Sequence, residues 1–257
     1  MKTAKHASAR LVLVGTVHHD PHGYDKLQRL LAAVQPDIIT LELSPYGRGF
    51  RTKHSRRLTQ RILSRIPGAV GREPPAPGTE GRDHLPAALE QLLATITFPF
   101  EYRAARDYAA TRSVPFYCID LSHVSRHKVC MLKAEALTGR NIKMLLALPD
   151  KELQDSVNMC YKRAAAMWRE HQGCQRLSYL AGDPSAVERD EHMSRRLRNL
   201  CKRLPKKTIV HIAGWEHCAN SSGPSNLYGL LRDLCLQRIL LDEAWSDNRP
   251  GLSGSLD

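Results

Sequence analysis

The chain has 257 residues, 42% of them hydrophobic, enough to bury one large core, and the spacing of its apolar runs favours a single domain. Its 38 Lys and Arg outnumber its 26 Asp and Glu, a formal charge of +12 that suits phosphates, nucleic acid or an acidic membrane surface as partners but does not specify a fold. Seven cysteines without any Cys-x-x-Cys pair argue against a disulfide framework and for reduced thiols in a cytoplasmic protein, and no apolar run approaches the roughly 20 residues that cross a bilayer.

Leu11 to Val14 is the first expected strand. The apolar run to Val17 is as short as a signal-peptide core, but His18, His19 and Asp20 follow it instead of a small-residue cleavage site, so a strand is the simpler reading. Leu27, Leu30, Leu31 and Val34 recur at helical spacing, Pro36-Asp37 ends that helix, and Ile38 to Leu43 is the second strand, giving a parallel βαβ unit. The basic stretch from Arg48 to Arg65 carries Leu58, Ile62, Leu63 and Ile66 at helical spacing, which predicts a cationic amphipathic helix that covers a cleft or meets an anionic partner.

Residues 67–86 are rich in Gly and Pro and read as an exposed loop inserted in the domain. Leu85 to Ile96 and Glu101 to Thr111 read as helices, and Val114 to Ile119 as the third strand. The middle, about Ser125 to Gly182, is helical by pattern, with Met144, Leu145, Leu148, Leu153, Val157 and Met167 supplying apolar faces. After the Gly182-Asp183-Pro184 turn, Glu188-Arg189-Asp190 is expected to open a helix, where acids suit the dipole, and Glu188 and His192 lie one turn apart. A second basic group runs from Arg195 to Lys207, Thr208 to Ala213 is the fourth strand, and 243–257 is a polar tail. The expected architecture is α/β: one domain over 1–242, with a central, largely parallel or mixed sheet flanked by helices and a helical middle region.

Each strand ends in an ionisable group: His18 after the first, Glu42 at the end of the second, Asp120 after the third and His217 after the fourth. Ligands bind at the carboxyl ends of strands in open α/β sheets, so these four are expected to share one edge. Two imidazoles and two carboxylates suit a divalent metal or paired acid and base catalysis. Two of the four stand in Gly-x-x-His, Gly15-Thr16-Val17-His18 and Gly214-Trp215-Glu216-His217, where the glycine is expected to let the chain turn. His19 and His22 read as loop histidines and Cys218 as a small buried thiol. Walker A, Gly-x-Gly-x-x-Gly, Gly-x-Ser-x-Gly and His-Glu-x-x-His patterns are missing, which removes support for nucleotide cofactors and a serine nucleophile. No nucleic-acid module or aromatic stacking platform is evident either.

The ordered set Gly15-Thr16-Val17-His18, Pro36-Asp37 leading to Leu41-Glu42-Leu43 with Arg48, Glu101 among helical alanines, Ile119-Asp120, Glu188-Arg189-Asp190 with Met193, and Ala213-Gly214-x-x-His217 resembles the TraB/PrgY family, which belongs with the Tiki, GumN, ChaN and erythromycin-esterase-like proteins. The resemblance spans most of residues 11 to 220. It implies a metal-dependent hydrolase, peptidase-like, acting on a small molecule or peptide with manganese, cobalt or zinc. His18, His217 and Asp120 would be metal ligands, and Glu42, Arg48, Glu101, Glu188 and Asp190 catalytic groups. ChaN-like relatives imply the alternative, a cleft that binds haem or a small anion without turnover, and a homodimer is an allowed assembly. The chain departs from many members in lacking a membrane-spanning C-terminal region, and Trp215-Glu216 replaces the small residues usual inside the second Gly-x-x-His.

Overall fold

The computed structural model describes residues 8–66, 86–147, 153–169, 184–219 and 226–243. The loop expected over 67–86 falls almost wholly outside the described residues, as do Leu148, the Gly182-Asp183 turn and all but the first residue of the tail.

Five parallel strands form the sheet among the described residues: β1 (Arg10–Thr16), β2 (Ile38–Leu41), β3 (Phe116–Cys118), β4 (Thr208–Gly214) and β5 (Leu236–Leu240), in the order β3-β2-β4-β1-β5. The sheet is thus parallel throughout. β5, which sequence reading left out, pairs with β1 from Leu11↔Leu236 to Gly15↔Leu240. Although β1 and β2 are linked by a single helix, they are not neighbours, because β4 inserts between them. The insertion suits β4: six of its seven residues are buried, so it belongs at the centre of the sheet.

The helices are α1 (Gly23–Val34), α2 (Pro45–Leu63), α3 (Ala87–Ile96), α4 (Phe100–Arg112), α5 (Ser122–Met131), α6 (Gly139–Leu146), α7 (Leu153–Arg169), α8 (Pro184–Arg203) and the short α9 (Trp215–Cys218) and α10 (Leu227–Leu231). A single π-helical turn, Leu132–Ala136, extends α5. Alternate residues of each strand face opposite layers. Val12, Val14, Ile39 and Ile212 pack with α1, α4 and α7, whereas Leu11, Leu13, Ile38 and Ile209 pack with α8 and α10. Ala104 and Ala105 of α4 are fully buried in the first of these clusters, where small side chains let α4 lie close to α1.

A third cluster lies apart from the sheet clusters, where Ile62 and Leu63 of α2 meet Leu89, Leu92, Leu93 and Ile96 of α3 and Ile142 of α6. The cationic helix read from the sequence is therefore α2, anchored by these residues. Its start is fixed by Ser44, whose Oγ accepts from the Gly47 N–H at 2.8 Å, and by Pro45 in the first turn. Met144 departs from its expected role: it points outward and is 58% exposed, while Val157 and Met167 are buried as expected.

Candidate active site

The four strand-end groups do converge on the carboxyl edge. Register puts Thr16 opposite Gly214, and the Glu42 N–H donates to Ile212 O at 2.9 Å, so β1, β4 and β2 end side by side. Asp120 joins from the next position, its N–H donating to Leu43 O at 3.3 Å.

Two separate histidine arrangements result. In the first, His18 Nδ1 stands 2.8 Å from Glu101 Oε1, and the same oxygen accepts the Thr16 hydroxyl at 2.9 Å. Glu101 is in the first turn of α4 and only 2% exposed, so it orients the ring from below, while half of the His18 side chain stays open to solvent. Burial opposes the imidazolium, but Glu101, then Glu42 and Glu216, outweigh it and raise the His18 pKa to about 9. His18 is therefore a cation at neutral pH, with Nδ1–H held by Glu101 and Nε2–H free to act.

The second arrangement is closed. His217 Nδ1 lies 2.5 Å from Asp190 Oδ1 and Nε2 lies 3.1 Å from Glu42 Oε1, and all three side chains are buried. Burial disfavours the charged ring, yet the two carboxylates raise its pKa well above the ordinary value. Burial likewise opposes ionisation of Glu42, but the His217 and Arg189 charges hold its carboxyl well below the usual range. Arg189 then ties the strand ends together: its guanidinium grips both Asp120 oxygens at 2.9 to 3.2 Å and also Glu42. Glu42 Oε2 accepts the Gly214 N–H at 2.7 Å, which fixes the start of the second Gly-x-x-His.

Neither motif glycine works by turning the chain. Gly15 lies within β1, where a Cβ would come 2.7 Å from the Trp168 ring, and Gly214 ends β4 with φ −55°. A Cβ on Gly214 would lie 3.2 Å from His18 Nε2, 3.3 Å from Glu216 Oε2 and 3.6 Å from Glu42 Oε2. Both glycines serve close approach, and the second keeps open the space on which His18 and Glu216 converge. The sharp turn falls instead at His19, in the left-handed region at φ 68°. Asp20 steadies it by accepting the His22 N–H at 2.9 Å, the Tyr161 hydroxyl at 3.0 Å and Lys26 Nζ at 3.0 Å.

Sequence reasoning missed Glu216 and Arg189 as site residues. Burial raises the Glu216 pKa above the ordinary glutamate value, against the pull of His18 and His217, which makes its carboxylate a stronger base than a free glutamate. Other expected residues stand apart. Glu188 is exposed and faces His123 at 3.3 Å, and Arg48 is exposed in the first turns of α2. Helix α8 begins at Pro184, so Glu188-Arg189-Asp190 does not open it, and tertiary ion pairing rather than the helix dipole accounts for Asp190. Cys218 is fully buried and its thiol is pushed well up by burial, which leaves it unreactive.

The trio expected to bind a metal is not assembled. Both ring nitrogens of His217 face carboxylates, and both Asp120 oxygens face Arg189. Among the described residues no group of three His, Cys, Asp or Glu side chains is placed to hold an ion. As placed, His217 and Asp120 are committed to protein partners rather than to an ion. No family model, curated protein or solved structure matches the chain.

Proposed function

We propose that the chain is a hydrolase of the TraB/PrgY type that works by paired acid and base catalysis at the space above Gly214. The observation that carries this reading is the convergence of His18 Nε2 and Glu216 Oε2 on one point, with the far side of the imidazole locked by Glu101. A carboxylate lifted by burial beside a cationic imidazole is a matched base and acid.

In this mechanism Glu216 takes a proton from water, and the hydroxide attacks the acyl carbon of an ester or amide. His18 gives its Nε2 proton to the departing oxygen or nitrogen as the acyl bond breaks. Water is thus divided across the cleaved bond, and exchange with solvent returns a proton to His18 and removes one from Glu216. Glu101 and Thr16 keep the ring oriented, while the Asp190, His217, Glu42, Arg189 and Asp120 network holds the strand ends rigid.

The test is an ester and peptide panel assayed with wild type, His18→Ala and Gly214→Ala. Loss of the acid should lower kcat/KM about 10²- to 10⁴-fold. Filling the space with a methyl group should give a comparable loss, with both variants still folded at the assay temperature by circular dichroism. Full activity in either variant sinks the mechanism; ligand binding with no turnover by wild type would leave the binding-protein alternative.

A further inference from the structure

Helices α2, α5 and α6 together contain ten Lys and Arg and no Asp or Glu. They belong to one unit: α2 packs on α5, α3 joins α2 to α6, and the Arg65 guanidinium donates to Leu137 O at 2.8 Å just before α6. Lys53, Arg56, Arg57 and Arg61 occupy the solvent stripe of α2 at spacings of three and four, opposite Ile62 and Leu63. On α6, Arg140, Lys143 and Met144 repeat the pattern opposite the buried Ile142 and line an open groove.

Anionic partners of different kinds would be attracted to such a face, but its apolar residues distinguish between them. Met144 is 58% exposed beside Arg140 and Lys143 on α6, and Met131, at the end of α5, is 43% exposed. Base stacking has no platform here, because the two aromatic rings of α2 are taken: Arg126 lies over Tyr46 at 5.3 Å and Lys133 over Phe50 at 5.0 Å. A bilayer surface uses both features, binding cations at its headgroups and apolar tips just beneath them. Any such attachment through the described residues is peripheral, since no helix among them is long and apolar enough to cross a membrane.

We infer that the face made by α2, α5 and α6 docks on the anionic headgroups of a lipid surface, with Met131 and Met144 entering the apolar boundary. This inference is independent of the hydrolase reading. The full chain is sedimented with vesicles of phosphatidylcholine alone and with about a third phosphatidylglycerol, at low and high salt. Binding should require the anionic lipid and weaken with salt. Each cation near such a surface contributes about fivefold, so the combined variant R56A, R57A and R61A should partition roughly a hundredfold less. Met144→Ser should weaken binding severalfold while leaving the salt dependence intact, a response that charge alone does not give. Equal binding to neutral vesicles, or an unaltered triple variant, overturns the proposal. So does binding to a DNA or RNA duplex that exceeds vesicle binding at matched phosphate concentration.

Discussion

Replacing Arg189 with methionine removes the guanidinium that joins two strand ends while keeping an unbranched apolar stem. The Arg189 side chain is 12% exposed, and those of Glu42 and Asp120 are 7% and 6%, so solvent screens the contacts little. Breaking a buried pair by removing one partner costs about 3–5 kcal/mol. Glu42 keeps His217 and the Gly214 N–H, and Asp120 keeps the Leu121 N–H, which places the loss at the lower end, about 3 kcal/mol. For a domain of this size that lowers Tm by roughly 6–12 °C. The effect has a definite pH dependence. Glu42 is depressed well below its ordinary value of 4.5, so its contribution is present above that value and fades as pH falls through the folded-state value. Wild type and variant should therefore differ fully at about neutral pH and converge in strong acid, as followed by thermal and urea denaturation. A neutral-pH Tm within about 1 °C of wild type would refute the reasoning, because it would mean that the buried carboxylates do not depend on Arg189.

The proposed acid and base give a bell-shaped pH profile of kcat/KM. The alkaline limb should lie near 9, where His18 loses its proton, and the acid limb should follow Glu216 above the usual glutamate range. Glu101→Gln removes the carboxylate that most favours the imidazolium and should move the alkaline limb to lower pH; an unmoved limb would assign it to another group. Exhaustive dialysis against EDTA should leave activity and Tm unchanged, since His217 and Asp120 are committed to protein partners. Activity lost on chelation and restored by manganese, cobalt or zinc would return a metal to the mechanism.

Much of the fold was readable because it depends on local pattern. Leu11 to Val14 is a continuous apolar run and Thr208 to Ala213 a mostly apolar one, and such runs form strands covered on both faces. β5 was missed because Leu236-Gln237-Arg238-Ile239-Leu240 mixes polar with apolar residues, as an edge strand with only one sheet neighbour can. The placement of β4 between β1 and β2 was also beyond pattern reading, since adjacency in sequence favours a direct pairing.

For the site, strand ends were informative and helices were not. His18, Glu42, Asp120 and His217 follow apolar runs, so topology alone carries them to one edge. Which of them remain free to react depends on what α4 and α8 present there. Glu101 leaves His18 with one open nitrogen, whereas Asp190 and Glu42 occupy both nitrogens of His217. Two copies of one motif thus acquire different surroundings, one histidine half open to solvent and the other a buried clamp. Glu216 escaped notice because it lies inside the second motif, at a position defined there only as a spacer. The lack of a Cβ on Gly214 brings it into the site: with Thr16 and Gly214 in register, the carboxylate and the His18 ring close on the same space. In the proposed mechanism, the Trp215-Glu216 pair that departs from the resembled family supplies the base, and it marks where that mechanism differs from a metal-centred one.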